Sequence, residues 1–226
     1  MTEKHRAITL EKEFELERVS LFSDAVFAIA ITLLIIDTKW PELPEKMEGV
    51  DVLKLMLPTL GSFTGFVLSF YFIGLSWSQH LRLFKLVRKY DQGLITRNLI
   101  SLFFVVTFPF TAAGMFGHLR VGFILPMYFY LGNLVLVAAA HFILCRYIIR
   151  VKPFLTIDGE QQEKKYIYVR SRNATLAMAG MIFVAAITGL IFPHRLDFVG
   201  YSCISGPLLL RFANRNAGKF EPVGHS

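Results

Sequence analysis

Six long apolar runs constrain the fold of this 226-residue chain more than any other feature of its sequence. They cover residues 20–38, 54–78, 99–117, 122–145, 174–192 and 197–211. A helix of about 20 apolar residues spans the hydrocarbon core of a bilayer. The chain is 54% hydrophobic and has a mean hydropathy of +0.50, which sets it apart from soluble domains. The runs therefore predict an all-α membrane protein with six transmembrane helices, the last of them short.

The distribution of lysine and arginine predicts how these helices are oriented. Nineteen of them lie before the first run, after the second and fourth runs, and after the sixth, whereas five lie in the other three connections. Cytoplasmic segments carry the excess of basic residues. We therefore expect a cytoplasmic N-terminal segment (1–19), a transmembrane domain (20–211) and a cytoplasmic tail (212–226). This topology accounts for the net charge of +7, so we expect no binding to nucleic acid.

The sequence carries no pattern typical of an enzyme site, such as a phosphate-binding glycine loop or a zinc or triad spacing. Its histidines His80, His118 and His194 are scattered and lack catalytic partners at a useful spacing. Cys145 and Cys203 lie in or at the ends of apolar runs, and we expect both to be reduced. We expect no enzymatic activity, no cofactor and no tightly bound metal.

Small and helix-breaking residues in the second and third runs favour close helix packing and a kink. Gly61, Gly65 and Ser69 recur at every fourth position, which lets a neighbouring helix backbone approach closely. Pro109, between two phenylalanines, lacks a backbone donor and is expected to kink the third helix. Such a kink either shapes the bundle or contributes to a gate, and the sequence leaves both open.

Asn133 and His141 are the two polar residues that stand out in the fourth run. They are eight residues apart and so share one helix face. We favour hydrogen bonds to other helices over a proton relay. Together with Pro109 they are the only candidates for a mid-membrane substrate site, which a secondary transporter would need. This transporter is our alternative to the function suggested below.

The first run has two faces of different chemistry. At about 100° per residue, one stripe about 60° wide contains four large apolar side chains. They are Phe22, Ile29, Leu33 and Ile36. Thr32 lies at the edge of this stripe, whereas Asp24 falls on the far side of the helix, about one turn inside the membrane. An aspartate at the centre of a span would cost roughly 2.5 to 3.5 kcal/mol, so its position needs an explanation.

Asp24 has two interpretations. In the first, donors from other helices at comparable depth bond the carboxylate and hold the helix ends together. These donors are Trp77, His80, Arg97 and Asn98. In the second, Asp24 is a partly hydrated interfacial acid that is favoured near a helix N-terminus. In both, Asp24 points away from the aliphatic stripe.

The stretch Arg18-Val-Ser-Leu-Phe22-Ser23-Asp24 fits the pattern R-x-x-x-F-S-D, which resembles the first-helix signature of the transmembrane protein 175 family. These proteins are endosomal and lysosomal potassium channels and their prokaryotic relatives. The continuation AVFAIAITLLIID also resembles the prokaryotic branch. The resemblance by motif covers the first run and, loosely, the end of the second run from Trp77 to His80.

This resemblance implies a homotetramer in the cell membrane of a prokaryote, with the first helices lining a central, potassium-permeable pore. By resemblance, Ile29, Leu33 and Ile36 form the constriction, and Thr32 bears on selectivity. The resemblance assigns the other motif residues to a packing network behind the pore. They are Arg18, Phe22, Ser23, Asp24, Trp77, His80 and Asn98. The expected channel is weakly to moderately selective for K⁺ over Na⁺, because the sequence has no T-V-G-Y-G filter. An accessory subunit that only packs against other proteins is a further alternative.

Overall fold

A computed structural model describes residues 3–36, 49–117, 125–192 and 205–215 of the chain. These residues form seven α-helices, and the described ranges contain no β-strand, only one isolated bridge between Val87 and Thr156. The helices are α1 (Glu3–Ile36), α2 (Gly49–Lys85), α3 (Gln92–Val106), α4 (Phe108–Gly117), α5 (Leu125–Arg146), α6 (Gln161–Ile191) and α7 (Ser205–Asn214). A π-helical turn (Tyr147–Val151) extends α5, and a 3₁₀ turn (Pro153–Leu155) follows it.

Four helical stretches within the described residues are long and apolar enough to cross a membrane. They are Phe14–Ile36, Gln92–Phe116, Leu125–Val151 and Gln161–Ile191. The predicted second span falls inside α2, which runs for 37 residues. The all-helical class and the membrane-spanning character are thus confirmed. Six spans per subunit remains a prediction, because most of the sixth run lies outside the described residues.

The boundaries of two helices differ from those that the apolar runs predicted. Helix α1 begins at Glu3, so the charged stretch 3–19 continues the first span as one helix of 34 residues. At about 1.5 Å per residue it is about 50 Å long, which exceeds the thickness of the hydrocarbon core. Helix α6 begins at Gln161, so residues 161–173, expected in a connecting loop, are helical.

The third apolar run is interrupted where the sequence predicted a kink. Helix α3 ends at Val106, Thr107 has the αR conformation of a C-cap, and α4 starts at Phe108. Pro109, which has no N–H group, is the second residue of α4, where a helical N–H has no partner in any case. The structure therefore divides this span into two successive helices.

Helix α5 lies at the centre of the main core and packs against α3, α4 and α6. The buried side chains of this core come from α1 through α6, and α1 contributes Phe27, Ala30 and Leu34. Helix α1 also packs against α2, α3 and α4. This packing fixes which side of α1 is covered by its own subunit.

A second, smaller core lies where α2, α3, α5 and α6 meet the connecting segments. Its buried side chains include Leu83, Leu94, Leu144, Ile148 and Leu155. The two connections are also tied by backbone hydrogen bonds. The N–H groups of Arg88 and Ile157 donate to the carbonyls of Leu155 (2.8 Å) and Leu86 (2.9 Å). These two connections between apolar runs thus form part of the packed structure.

Candidate functional site

Helix α1 presents a buried face and an exposed face, and the predicted aliphatic stripe lies on the exposed one. Phe27, Ala30 and Leu34 are no more than 5% exposed, at spacings of three and four residues. Ile29, Leu33 and Ile36 are 59%, 39% and 68% exposed. This helix therefore turns large aliphatic side chains away from the core of its own subunit.

Thr32 lies on the same exposed side of α1. Its hydroxyl donates to the carbonyl of Ile29 at 2.9 Å, within the helix. This bond occupies the hydroxyl hydrogen and leaves the oxygen lone pairs toward the surroundings. The structure thus brings Thr32 next to one of the stripe residues that the sequence singled out.

Asp24 bonds to α2 through a tryptophan. The Nε1 atom of Trp77 donates to Oδ1 of Asp24 at 2.8 Å. The carboxylate is half-buried and the indole ring is partly exposed. A charge-assisted bond of this length links α1 to α2 near one end of the apolar span. We call this part of the molecule the Asp24 end of the bundle.

A second link at the Asp24 end is buried and joins three helices. Nδ2 of Asn98 donates to Oγ of Ser23 at 2.9 Å, and Oδ1 of Asn98 lies 2.8 Å from Nε2 of His80. The Ser23 hydroxyl donates to the carbonyl of Val19 at 2.8 Å. All three side chains are buried. Ser23, Asn98 and His80 belong to α1, α3 and α2, so this chain of hydrogen bonds joins the three helix ends.

The direction of each bond in this chain can be derived. The Ser23 hydroxyl has one hydrogen and gives it to a carbonyl, so it must accept from Asn98. The Asn98 amide nitrogen therefore faces Ser23 and its oxygen faces His80. Consequently Nε2 of His80 carries a hydrogen and donates. The His80 ring is held in this orientation by stacking on Phe84, with ring centroids 4.3 Å apart.

Arg18 and Phe22 of the motif do not join these buried links. Both line an open groove between α1 and the start of α3, together with Tyr90 and Leu99. The side chain of Phe22 is 53% exposed. The structure therefore divides the R-x-x-x-F-S-D motif into an interior part, Ser23 and Asp24, and an outward part.

The mid-membrane candidates do not share one site. The Asn133 amide lies 3.3 Å from the hydroxyl oxygens of Thr107 and Thr111, which joins α5 to the break between α3 and α4. His141 lies elsewhere on α5, and its ring is 6.5 Å from that of His80. Its Nε2 atom has no hydrogen-bond partner in the described part of the chain. The expected interhelical hydrogen bond is thus present for Asn133 and missing at this atom of His141.

The small residues of α2 pack against aromatic rings of other helices. A Cβ atom on Gly65 would lie 2.2 Å from ring carbons of Phe116, so a larger residue there would force this ring to shift. The Ser69 hydroxyl lies 3.2 Å from the hydroxyl of Tyr130. Gly65 and Ser69 therefore serve helix packing, as their spacing predicted, whereas the surroundings of Gly61 lie outside the described part of the structure.

Sequence reasoning missed a polar cluster around Asp91. Asp91 is the N-cap of α3 and accepts from the Leu94 N–H at 2.8 Å, and the Tyr147 hydroxyl donates to Oδ2 of Asp91 at 2.6 Å. Burial raises the pKa of the Asp91 carboxyl, but these two hydrogen bonds and the positive charges of Lys152 and Arg97 outweigh burial, so the pKa lies below its ordinary value. An aspartate just before an apolar helical run is a recognisable N-cap signal.

The part of the chain that holds the Asp24 end of the bundle also matches a known protein family. Residues 18–109 match the profile of the family described as endosomal/lysosomal potassium channel TMEM175. Over this region the chain is similar to the TMEM175 family. The matched region contains Ser23, Asp24, Trp77, His80 and Asn98, which form the links at the Asp24 end of the bundle. The resemblance drawn from the R-x-x-x-F-S-D motif is confirmed.

Among the TMEM175 relatives, a potassium channel of Streptomyces collinus is 39% identical over 103 residues, which are 46% of this chain and 48% of that protein. A potassium channel of Chamaesiphon minutus is 36% identical over 102 residues, which are 45% of this chain and 50% of that protein. The mouse endosomal/lysosomal proton channel TMEM175 is 35% identical over 108 residues, 46% of this chain and 22% of that protein. The match thus spans about half the length of the bacterial proteins.

The fold resembles solved TMEM175 structures over nearly the whole chain. The crystal structure of a lysosomal potassium-selective channel TMEM175 homolog from Chamaesiphon minutus superposes with a TM-score of 0.71 at 24% identity. The superposition covers 90% of this chain and 98% of that one. The potassium channel MtTMEM175, solved as a variant bound to a nanobody fusion, gives a TM-score of 0.57 at 21% identity, over 89% of this chain and 93% of that one. The family is one of ion channels, which is not a class of enzyme.

Proposed function

We propose that this chain forms a homotetrameric, potassium-permeable cation channel whose central pore is lined by α1. The observation that carries the proposal is the exposed aliphatic stripe of α1, opposite a face that its own subunit buries. In a tetramer, four such stripes around one axis would give a narrow apolar passage. The names of the bacterial relatives and the fold of the solved channels support the same function.

Ile29, Leu33 and Ile36 would form the constriction of this pore. An apolar constriction gates by dewetting and makes an ion give up part of its hydration shell. Potassium is less strongly hydrated than sodium and loses water at lower cost, so the ring favours K⁺ weakly to moderately. Thr32, with its hydroxyl oxygen beside the stripe, would offer a polar contact that tunes this preference.

The alternative, a secondary transporter, has less support from the arrangement of its candidate residues. Asn133 is occupied by Thr107 and Thr111, and it lies apart from the surroundings of His141. A transporter needs its ligands to converge near the membrane centre. Pro109, Asn133 and His141 do not converge, so we retain the channel.

Current measurements on purified protein in planar bilayers test the pore. Ile29→Asn, Leu33→Asn and Ile36→Asn are each expected to raise the single-channel or leak conductance several-fold, because an amide wets the passage. Ile35→Asn is the matched control: it changes the same type of residue, also exposed, on another side of α1. Reversal potentials with K⁺ on one side and Na⁺ on the other measure selectivity, which Thr32→Ala is expected to change.

Two results would contradict the proposal. The pore assignment is wrong if all three stripe variants leave conductance and reversal potential unchanged. It is equally wrong if Ile35→Asn has the same effect as Ile36→Asn, because a general disturbance of α1 would then explain the currents. A molecular mass for the purified particle that does not correspond to four chains would contradict the tetramer.

A further inference from the structure

Two buried polar atoms in the interior of the subunit have no hydrogen-bond partner in the described part of the chain. They are Nε2 of His141 on α5 and Oγ of Ser171 on α6. The two residues are 5% and 3% exposed. Native proteins leave few buried polar groups unsatisfied, and each exception calls for an explanation, such as a bound molecule. Neither atom takes part in the hydrogen bonds at the Asp24 end.

Both residues line the same cavity, which lies mainly between α2, α5 and α6 and also touches Val105, Phe108 and Leu210. The cavity has a volume of about 90 Å³, and its wall also carries the polar side chains of Ser76 and Gln79 from α2. A second cavity of about 50 Å³ adjoins it and shares Gln79 and His141 in its lining. Together they approach the volume of an engineered protein cavity, about 150 Å³, that binds benzene.

The wall of the larger cavity defines the chemistry of an occupant. No Asp, Glu, Lys or Arg is found among the described residues that line it, so a charged group in the larger cavity would have no ionic partner on the wall. Two arginines, Arg82 and Arg170, line only the smaller cavity. Most of the wall is apolar, with Phe72, Val137 and Met178 among its side chains. The polar atoms of His141 and Ser171 can accept or donate one hydrogen bond each. A hydroxyl group, which is both donor and acceptor, matches this pair.

We propose that the larger cavity, extended by the adjoining one, binds a small, neutral, hydroxylated molecule with a compact apolar body, up to about the size of phenol. Its hydroxyl bonds to His141 and Ser171, and its apolar part packs between Phe72, Val137 and Met178. The site lies inside one subunit and away from the exposed stripe of α1. It is therefore a binding site independent of the proposed pore.

Binding of 4-fluorophenol, followed by ¹⁹F NMR on the full-length protein in nanodiscs, tests this site. Fluorobenzene, which lacks the hydroxyl, is the matched probe, and empty nanodiscs correct for partition into lipid. Ser171→Ala should weaken 4-fluorophenol binding about 2- to 10-fold, the effect of one hydrogen bond, and leave fluorobenzene unaffected. Ala174→Phe, on the cavity wall, should abolish binding of both probes. Leu176→Phe, at a position 62% exposed, should change neither.

The proposal is overturned if neither probe binds beyond the level of empty nanodiscs, since the cavity would then hold water only. It is also overturned if Ser171→Ala binds 4-fluorophenol as tightly as the unchanged protein. Binding that persists in Ala174→Phe would place the probe elsewhere and so would overturn it too. If Ala174→Phe does not fold, the comparison of the two probes in Ser171→Ala still decides the question.

Discussion

At the scale of single residues, the side chain of Asn98 links three helices at the Asp24 end of the bundle. It is the only residue of the buried chain that bonds two other side chains, Ser23 and His80, each on a different helix. An amide can do this because it offers a donor on one side and an acceptor on the other. A carboxylate at this position only accepts, so it could not donate to Ser23 in the same way.

Asn98→Ala is expected to destabilise the protein. It leaves the Nε2 donor of His80 buried without an acceptor, which costs about 1 to 3 kcal/mol. For a chain of this size that corresponds to a fall in melting temperature of roughly 2 to 10 °C. Thermal unfolding of the purified protein in detergent measures it. Thr96→Ala on the same helix is the control, because the exposed Thr96 hydroxyl bonds only to its own helix; equal effects of the two would refute the role of Asn98.

At the scale of helices, the contact of α2 with α4 depends on the absence of a side chain at Gly65. The ring of Phe116 occupies the space that a Cβ atom would need. Phe116 also packs on Tyr130, with ring centroids 5.7 Å apart. The ring therefore connects α2, α4 and α5, and it has little room to move.

Gly65→Ala is expected to cost about 1 to 3 kcal/mol through overpacking against Phe116. Gly74→Ala on the same helix is the matched control, because a Cβ there meets no atom within 4 Å, so it should be neutral or slightly stabilising. Combining Gly65→Ala with Phe116→Ala should cost less than the sum of the single changes, as expected for residues in contact. Strict additivity in the unfolding free energies would show that the two residues do not interact.

The sequence allowed prediction of the faces of α1 but not the full extent of α6. Periodicity separates Ile29 and Leu33 from Asp24 because side-chain direction in a helix follows from position alone. Residues 161–173 are rich in charged and polar side chains, which is typical of a loop. Here tertiary contacts override that pattern: Tyr166 and Ile167 are buried in the second core, and the buried Lys164 donates to the Ile157 carbonyl.

The sequence predicts which residues lie near Asp24, but it does not predict which hydrogen bonds they form. Trp77, His80 and Asn98 were expected near Asp24 because they lie at similar depth. Which donor reaches the carboxylate depends on helix rotation, which the sequence does not specify. In the structure Trp77 donates to Asp24, whereas Asn98 donates to Ser23. The bond between Tyr147 and Asp91 joins residues 56 positions apart, and no local pattern could indicate it.

At the scale of the whole molecule, the distribution of basic residues predicts which side of the membrane each connection faces. Lys89 is exposed in the connection between α2 and α3, and this connection is predicted to face the cytoplasm. The next connection along the chain, which contains Arg120 and lies outside the described residues, is predicted to face the other side.

Single cysteines at these two positions test the orientation, in a background with Cys145→Ala and Cys203→Ala. A membrane-impermeant maleimide should label Lys89→Cys in inside-out vesicles and not in intact cells, because a charged reagent does not cross the bilayer. Arg120→Cys should show the opposite pattern. Mass spectrometry of the purified protein measures the labelled fraction, and a reversed pattern would place both termini on the other side.

The backbone bridge between Val87 and Thr156 has a practical consequence for anyone who engineers this protein. Epitope tags and fusion partners are usually inserted into short hydrophilic connections, and segments 86–91 and 152–160 look suitable on the sequence alone. Because they hydrogen-bond to each other over the second core, an insertion in either would separate the ends of four helices. These two segments are therefore the places to avoid.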